Sequence, residues 1–88
     1  NANKWAKIHA VWALYAMSKA LGQDFSESFL AATKDADADV RAQGTRALGM
    51  QRYVEWEEKD SGVPSNALTR LQRDPDPTVR LQAAIALG

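Results

Sequence analysis

Residues 35–49, DADADVRAQGTRALG, lie over residues 74–88, DPDPTVRLQAAIALG, at an offset of 39. Eight of the fifteen positions are identical: Asp35/Asp74, Asp37/Asp76, Val40/Val79, Arg41/Arg80, Gln43/Gln82, Ala47/Ala86, Leu48/Leu87 and Gly49/Gly88. Chance does not produce that agreement in so short a chain. The same offset brings Ser26 onto Ser65 and Phe29 onto Leu68. A fainter copy opens the chain: residues 7–14, KIHAVWAL, fit over 41–48 at an offset of 34, and Ala10, Ala13 and Leu14 match Ala83, Ala86 and Leu87. The mismatch between the two offsets points to an insertion in the polar run Glu57-Glu58-Lys59-Asp60-Ser61-Gly62, read as a loop because it ends in turn residues before Pro64. Self-similarity at this period is the mark of stacked helical units.

Each unit decodes as two helices. In the last copy Asp76 is a suitable N-cap, and Pro77 occupies the first helical position, where its missing N–H costs nothing. Val79, Ala83, Ala86 and Leu87 then make one apolar face at i, i+4, i+7 and i+8, and Gly88 stands where a C-cap glycine belongs. Asp37, Val40, Gly44, Ala47, Leu48 and Gly49 repeat the scheme. The small residues Gly44 and Ala83 are expected to admit close helix approach. Shorter first helices are expected over 26–34 and 64–73, and the opening segment, about 4–21, is one helix stopped by Gly22. No stretch alternates with the period of a strand. The fold class expected is all-α: an α-solenoid of helical hairpins, about two and a half repeats and five helices. Residues 1–2 resemble a cloning remnant, with a processed N-terminus as the alternative. Residues 3–22 form the second helix of a truncated first repeat, 23–57 and 64–88 are repeats, and 58–63 is the inserted loop.

Composition narrows the function. The 88 residues are 45% hydrophobic and 25% charged, and 11 basic residues balance 11 acidic ones to a formal net charge of +0. Phosphate neutralisation supplies much of the affinity of nucleic-acid binders, so the missing basic excess argues against that class. With no cysteine, disulfides, thiolate metal sites and covalent haem attachment are excluded within this segment. His9 is the only histidine and has no companion at metal-ligand or acid–base spacing. The acidic residues Glu55, Glu57, Glu58 and Asp60 match no calcium loop. No cofactor, metal or catalytic residue is expected.

The Asp-rich turn, Val-Arg start and Ala-Leu-Gly ending of DPDPTVRLQAAIALG resemble the HEAT-like repeats of phycobilin lyase subunits, and the likeness covers most of the chain. The resemblance implies an inter-repeat ladder built from the turn aspartate and the arginine after valine: Asp35 with Arg41, and Asp74 with Arg80. The alternative is local pairing of each arginine with Asp37 or Asp76 at i−4. At a finer level KIHAVWAL with this repeat is similar to HEAT arrays in large dehydrogenase/cytochrome c proteins of planctomycete-type bacteria. That would imply a spacer or docking module in an exported, periplasmic protein; other parents would place it in the cytoplasm.

Projected at 100° per residue, the direction opposite Val40, Gly44 and Ala47 holds Ala42, Arg46 and Gly49, and their counterparts in the outer copies. The expected ridge is Ile8, Trp12, Tyr15, Arg46, Leu81 and Ile85, joined by Tyr53 and Trp56 if the middle helix runs past Gly49. Aromatic residues and arginine are enriched at binding hot spots, and an apolar patch marks a contact site. Such a ridge serves either a protein partner or neighbouring repeats and domains of the same chain. The function expected is a non-catalytic protein-interaction or scaffolding module, without nucleic acid or membrane insertion, its cut ends able to associate end to end. The alternative is a non-catalytic part of an enzyme, a bilin lyase subunit or a helical-repeat DNA glycosylase.

Overall fold

The computed structural model describes residues 2–23, 25–55 and 63–87, with side chains described for 3–23, 25–50 and 66–87. These residues form five helices and no strand: α1 (Ala2–Leu21), α2 (Ser26–Ala32), α3 (Ala38–Glu55), α4 (Val63–Leu71) and α5 (Pro77–Leu87). The chain is all-α. Alanine-rich α1 ends where Gly22 turns to a φ of +67° and its N–H closes onto the Ser18 carbonyl at 2.8 Å, the left-handed cap that glycine adopts without steric penalty.

The two short helices end alike, their last turns tightening into i→i+3 bonds: Asp35 N–H to Ala32 O and Asp74 N–H to Leu71 O, both 3.1 Å. The turns that follow are chemical copies. Asp35 Oδ1 accepts from the Asp37 amide at 2.8 Å, and Asp74 Oδ1 from the Asp76 amide at 2.9 Å. Asp37 Oδ1 then caps α3 through the amides of Asp39 (2.8 Å) and Val40 (3.3 Å), and Asp76 Oδ1 caps α5 through Thr78 (2.8 Å) and Val79 (3.3 Å). Val40 and Val79 are both fully buried just inside their helices.

Helix α3 is the centre and packs against all four others, most extensively α5. The core comprises Val11, Phe29, Ala42, Ala47, Leu48, Ala67, Leu68, Leu71, Val79, Ala83 and Ala86. Two glycines set its spacing. A Cβ on Gly44 would lie 2.7 Å from Ala32 Cβ, and one on Gly49 only 2.4 Å from Ala86 Cβ.

Gly49 therefore corrects an expectation. It ends no helix; α3 runs on to Glu55, and the glycine is kept bare by the approach of α5. The direction taken as an outer ridge on α3 is corrected with it, since Ala42 and Gly49 are buried and only Arg46 is exposed. Val63, assigned to the inserted loop, is the first residue of α4. The rest of that loop and the cap at Gly88 lie outside the described residues.

Candidate functional site

Two arrangements join side chains from different helices. The first is a ladder at the acidic turns. Arg41 donates Nε and Nη2 to the two carboxylate oxygens of Asp74, at 2.9 and 3.0 Å, and Nη1 to the carbonyls of Asp35 (3.1 Å) and Ala36 (3.0 Å). One planar guanidinium thus binds its own turn and the next one, a geometry that a lysine ammonium cannot reproduce. The pairing runs between units, Arg41 to Asp74, while Asp37 and Asp76 cap helices instead of pairing with the arginines. Arg80 repeats the inner half, with Nη1 on the carbonyls of Asp74 (2.8 Å) and Pro75 (3.1 Å). Asp35 receives Lys7 Nζ at 2.8 Å, and Asp39 receives Lys4 Nζ at 2.9 Å. Lys7 occupies the Arg41 position of the first copy, so the offset of 34 carried the signal for this contact, which the expected ladder omitted.

The ladder's electrostatics follow from its geometry. Lys7, and then the Asp37 amide, hold the Asp35 carboxyl below its ordinary value. Burial alone would raise Asp74, but the Arg41 hydrogen bonds and the Asp76 amide outweigh it and leave the group lowered. Arg41 is correspondingly raised by Asp74. A shallow cleft of about 270 Å³ runs beside Lys4, Lys7 and Asp35, where the charges already satisfy one another.

The second arrangement is the aromatic ridge. Trp12 of α1 donates Nε1–H to Gln43 Oε1 of α3 at 2.9 Å. Tyr15 meets the Trp12 ring edge-on, at 5.7 Å between centroids and 77° between planes. The Arg46 guanidinium stands 5.5 Å from the Trp12 centroid, and Lys19 Nζ 6.0 Å from that of Tyr15. Beyond Arg46 the surface opens into a groove of about 370 Å³ between α3 and α5, lined by Arg46, Gly49, Met50, Gln82, Ile85 and Ala86. Trp12 and Tyr15 are half-buried and lean on the core, as does Leu14, and Ile8 is half-buried. Ile85 is 60% exposed.

The structure brings together Trp12, Tyr15, Arg46 and, across the groove, Ile85. Leu81, one helical turn before Ile85 on α5, is 56% exposed, while its counterpart Ala42 on α3 is buried. The Tyr53 side chain and Trp56 lie outside what is described. Gln43, Met50 and Gln82 were missed: a projection that seeks aromatic and charged residues passes over the amide that holds Trp12. A third cleft, about 590 Å³, lies at the C-terminal ends of α2 and α4, with Lys34, Arg70 and Arg73 on its wall. Among the described residues no group of three or more His, Cys, Asp or Glu side chains is placed to hold a metal ion, and no helix is long and apolar enough to cross a membrane. The chain matches no protein-family model, no curated protein and no solved structure.

Proposed function

We propose that the chain is a HEAT-like helical-repeat module, a short α-solenoid without catalytic activity, that binds a protein surface along the ridge from Trp12 to Ile85. The observation that carries this reading is the Trp12–Tyr15–Arg46 cluster beside the α3–α5 groove. The Trp12 ring, tied down by Gln43 and flanked by Tyr15, presents contact area at small entropic cost, and Arg46 offers donors beside it. The reading as stacked repeats is supported by the duplicated turns and by the Arg41–Asp74 fork between units.

The test substitutes the two exposed residues of the ridge, because Trp12 also supports the fold. The chain and its Arg46→Glu, Ile85→Asp variant are used as bait, and captured proteins are quantified by mass spectrometry. The expected result is a protein retained by the original chain and lost about tenfold or more from the variant, at unchanged helical circular dichroism. Equal capture by both forms sinks the ridge. Salt-sensitive binding of duplex DNA, abolished by charge reversal at Lys34, Arg70 and Arg73, would replace the proposal with a nucleic-acid function.

A further inference from the structure

The two helix seams of the ridge are built on one pattern. The offset of 34 carries Trp12 onto Arg46, and the offset of 39 carries Gln43 onto Gln82. Between α1 and α3 the pair is closed, Trp12 Nε1–H donating to Gln43 Oε1 at 2.9 Å. Between α3 and α5 it is open. Arg46 is exposed and makes no ion pair or side-chain hydrogen bond among the described residues. The half-buried side-chain amide of Gln82 has no such partner either. Both line the groove of about 370 Å³, whose other walls are Gly49, Met50, Ile85 and Ala86. Open hydrogen-bonding groups therefore stand at the rim of an apolar slot.

Charge and size define what the slot takes. None of its lining residues is acidic. Asp35, Asp39 and Asp74 are held by Lys7, Lys4 and Arg41, and Asp37 and Asp76 cap α3 and α5, all at the turns that open those helices. Among the described residues, Arg46 and the Lys19 beside Tyr15 therefore leave the ridge positive. The Trp12 ring holds the Arg46 guanidinium at 5.5 Å, while the N–H donors, which lie in the guanidinium's own plane, stay open to both oxygens of a carboxylate. The groove volume is at the small end of the ~300–1,000 Å³ of ligand sites, room for one or two apolar side chains and not for a folded surface. We infer, resting on the reading of the ridge as a contact surface, that its partner presents an acidic peptide segment. An aspartate or glutamate sits on Arg46, and a neighbouring aliphatic or aromatic side chain fills the slot between Met50 and Ile85. The Gln82 amide meets the main chain of the segment. Single-stranded nucleic acid is the poorer occupant, because its bases stack on open ring faces and Trp12 is half-buried with Arg46 over it.

The probes are peptides of about twelve residues, selected from a random displayed library on the immobilised chain, with affinities read by fluorescence anisotropy. The selected peptides are expected to carry an aspartate or glutamate beside an apolar residue. Arg46→Gln and Ile85→Ala should each weaken the best of them about tenfold, whereas Arg70→Gln, the same loss of charge on the remote cleft, should change its affinity by about twofold or less. Arg46→Glu should abolish binding, and exchanging the peptide's acid for lysine should restore it to that variant alone. No selected peptide, selected peptides without an acid, an equal loss from Arg70→Gln, or no rescue overturns the assignment. So does displacement of the peptide by a single-stranded oligonucleotide. Sedimentation showing a dimer that Arg46→Gln disperses would make a second copy the occupant and overturn it too. A whole protein captured through the ridge, with no acid-bearing peptide selected, overturns this inference and leaves the ridge reading intact.

Discussion

Arg41 does more than any other side chain to hold the two turns in place, because four of its bonds run to groups with few other partners. Its side chain is 17% exposed and that of Asp74 only 8%, so removing it strands a largely buried carboxylate. Water still reaches both groups, which puts the cost below that of a fully buried pair. Arg41→Ala should destabilise the fold by about 2 kcal/mol, and Arg41→Lys by about half as much, read from urea midpoints. The pH dependence has a definite sign. Asp74 is lowered in the folded chain from its ordinary 3.8, so its contribution is complete above that value and disappears as pH falls through the lower folded one. Asp74→Asn should therefore lower stability at pH 7, flatten its loss below about pH 4, and converge with the original chain in stronger acid. This scale was the most legible in the sequence. Asp37 and Asp76 cap helices because a carboxylate beside orphan amides needs only neighbours in sequence, whereas the partner of Arg41 is set by stacking and not by the nearby Asp37.

The elements were legible in number and kind but not in their surroundings. The 100° projection assumed one buried side and one open side, which fails for a helix packed against all four others. Ala42 and Gly49 therefore lie inside, and α3 continues where a glycine suggested its end. Gly49 then admits a sharp test. Alanine is the better helix former by about 1 kcal/mol, so Gly49→Ala would stabilise an isolated helix. In the folded chain the added carbon meets Ala86 Cβ at 2.4 Å and Ala86 Cα at 3.2 Å, so α3 and α5 must separate. Gly49→Ala should cost about 1–3 kcal/mol by chemical denaturation. Combining it with Ala86→Gly should recover most of the loss, because the leading clash is between two β-carbons. A double variant no better than Gly49→Ala alone would show that the backbone contact, and not the pair of methyl groups, sets the spacing.

Across the whole molecule the helices are unequally secured. The radius of gyration is 12.1 Å, about that of a compact chain of this length. Within it α3 and α5 each have a short helix on their Val-Gly/Ala-Ala face: Val40, Gly44 and Ala47 are buried, as are Val79, Ala83 and Ala86. The matching residues of α1, Ala6, Ala10 and Ala13, are exposed, and Trp5, Met17 and Leu21 are exposed beside them. Helix α1 is held chiefly through α3, by Val11 in the core, the Trp12–Gln43 bond and the lysine pairs to Asp35 and Asp39. The exposed lysine pairs contribute little, so Trp12 and its neighbours must carry the attachment. Amide hydrogen exchange should find α1 opening as a unit at lower free energy than α3 and α5. Trp12→Phe keeps an aromatic ring but removes the donor to Gln43 and part of the packing on the core; it should speed exchange throughout α1 while leaving the slowest amides of α5 nearly unchanged. If α1 and α5 instead exchanged together in both forms, the chain would be one cooperative unit and the first helix no more weakly attached than the last.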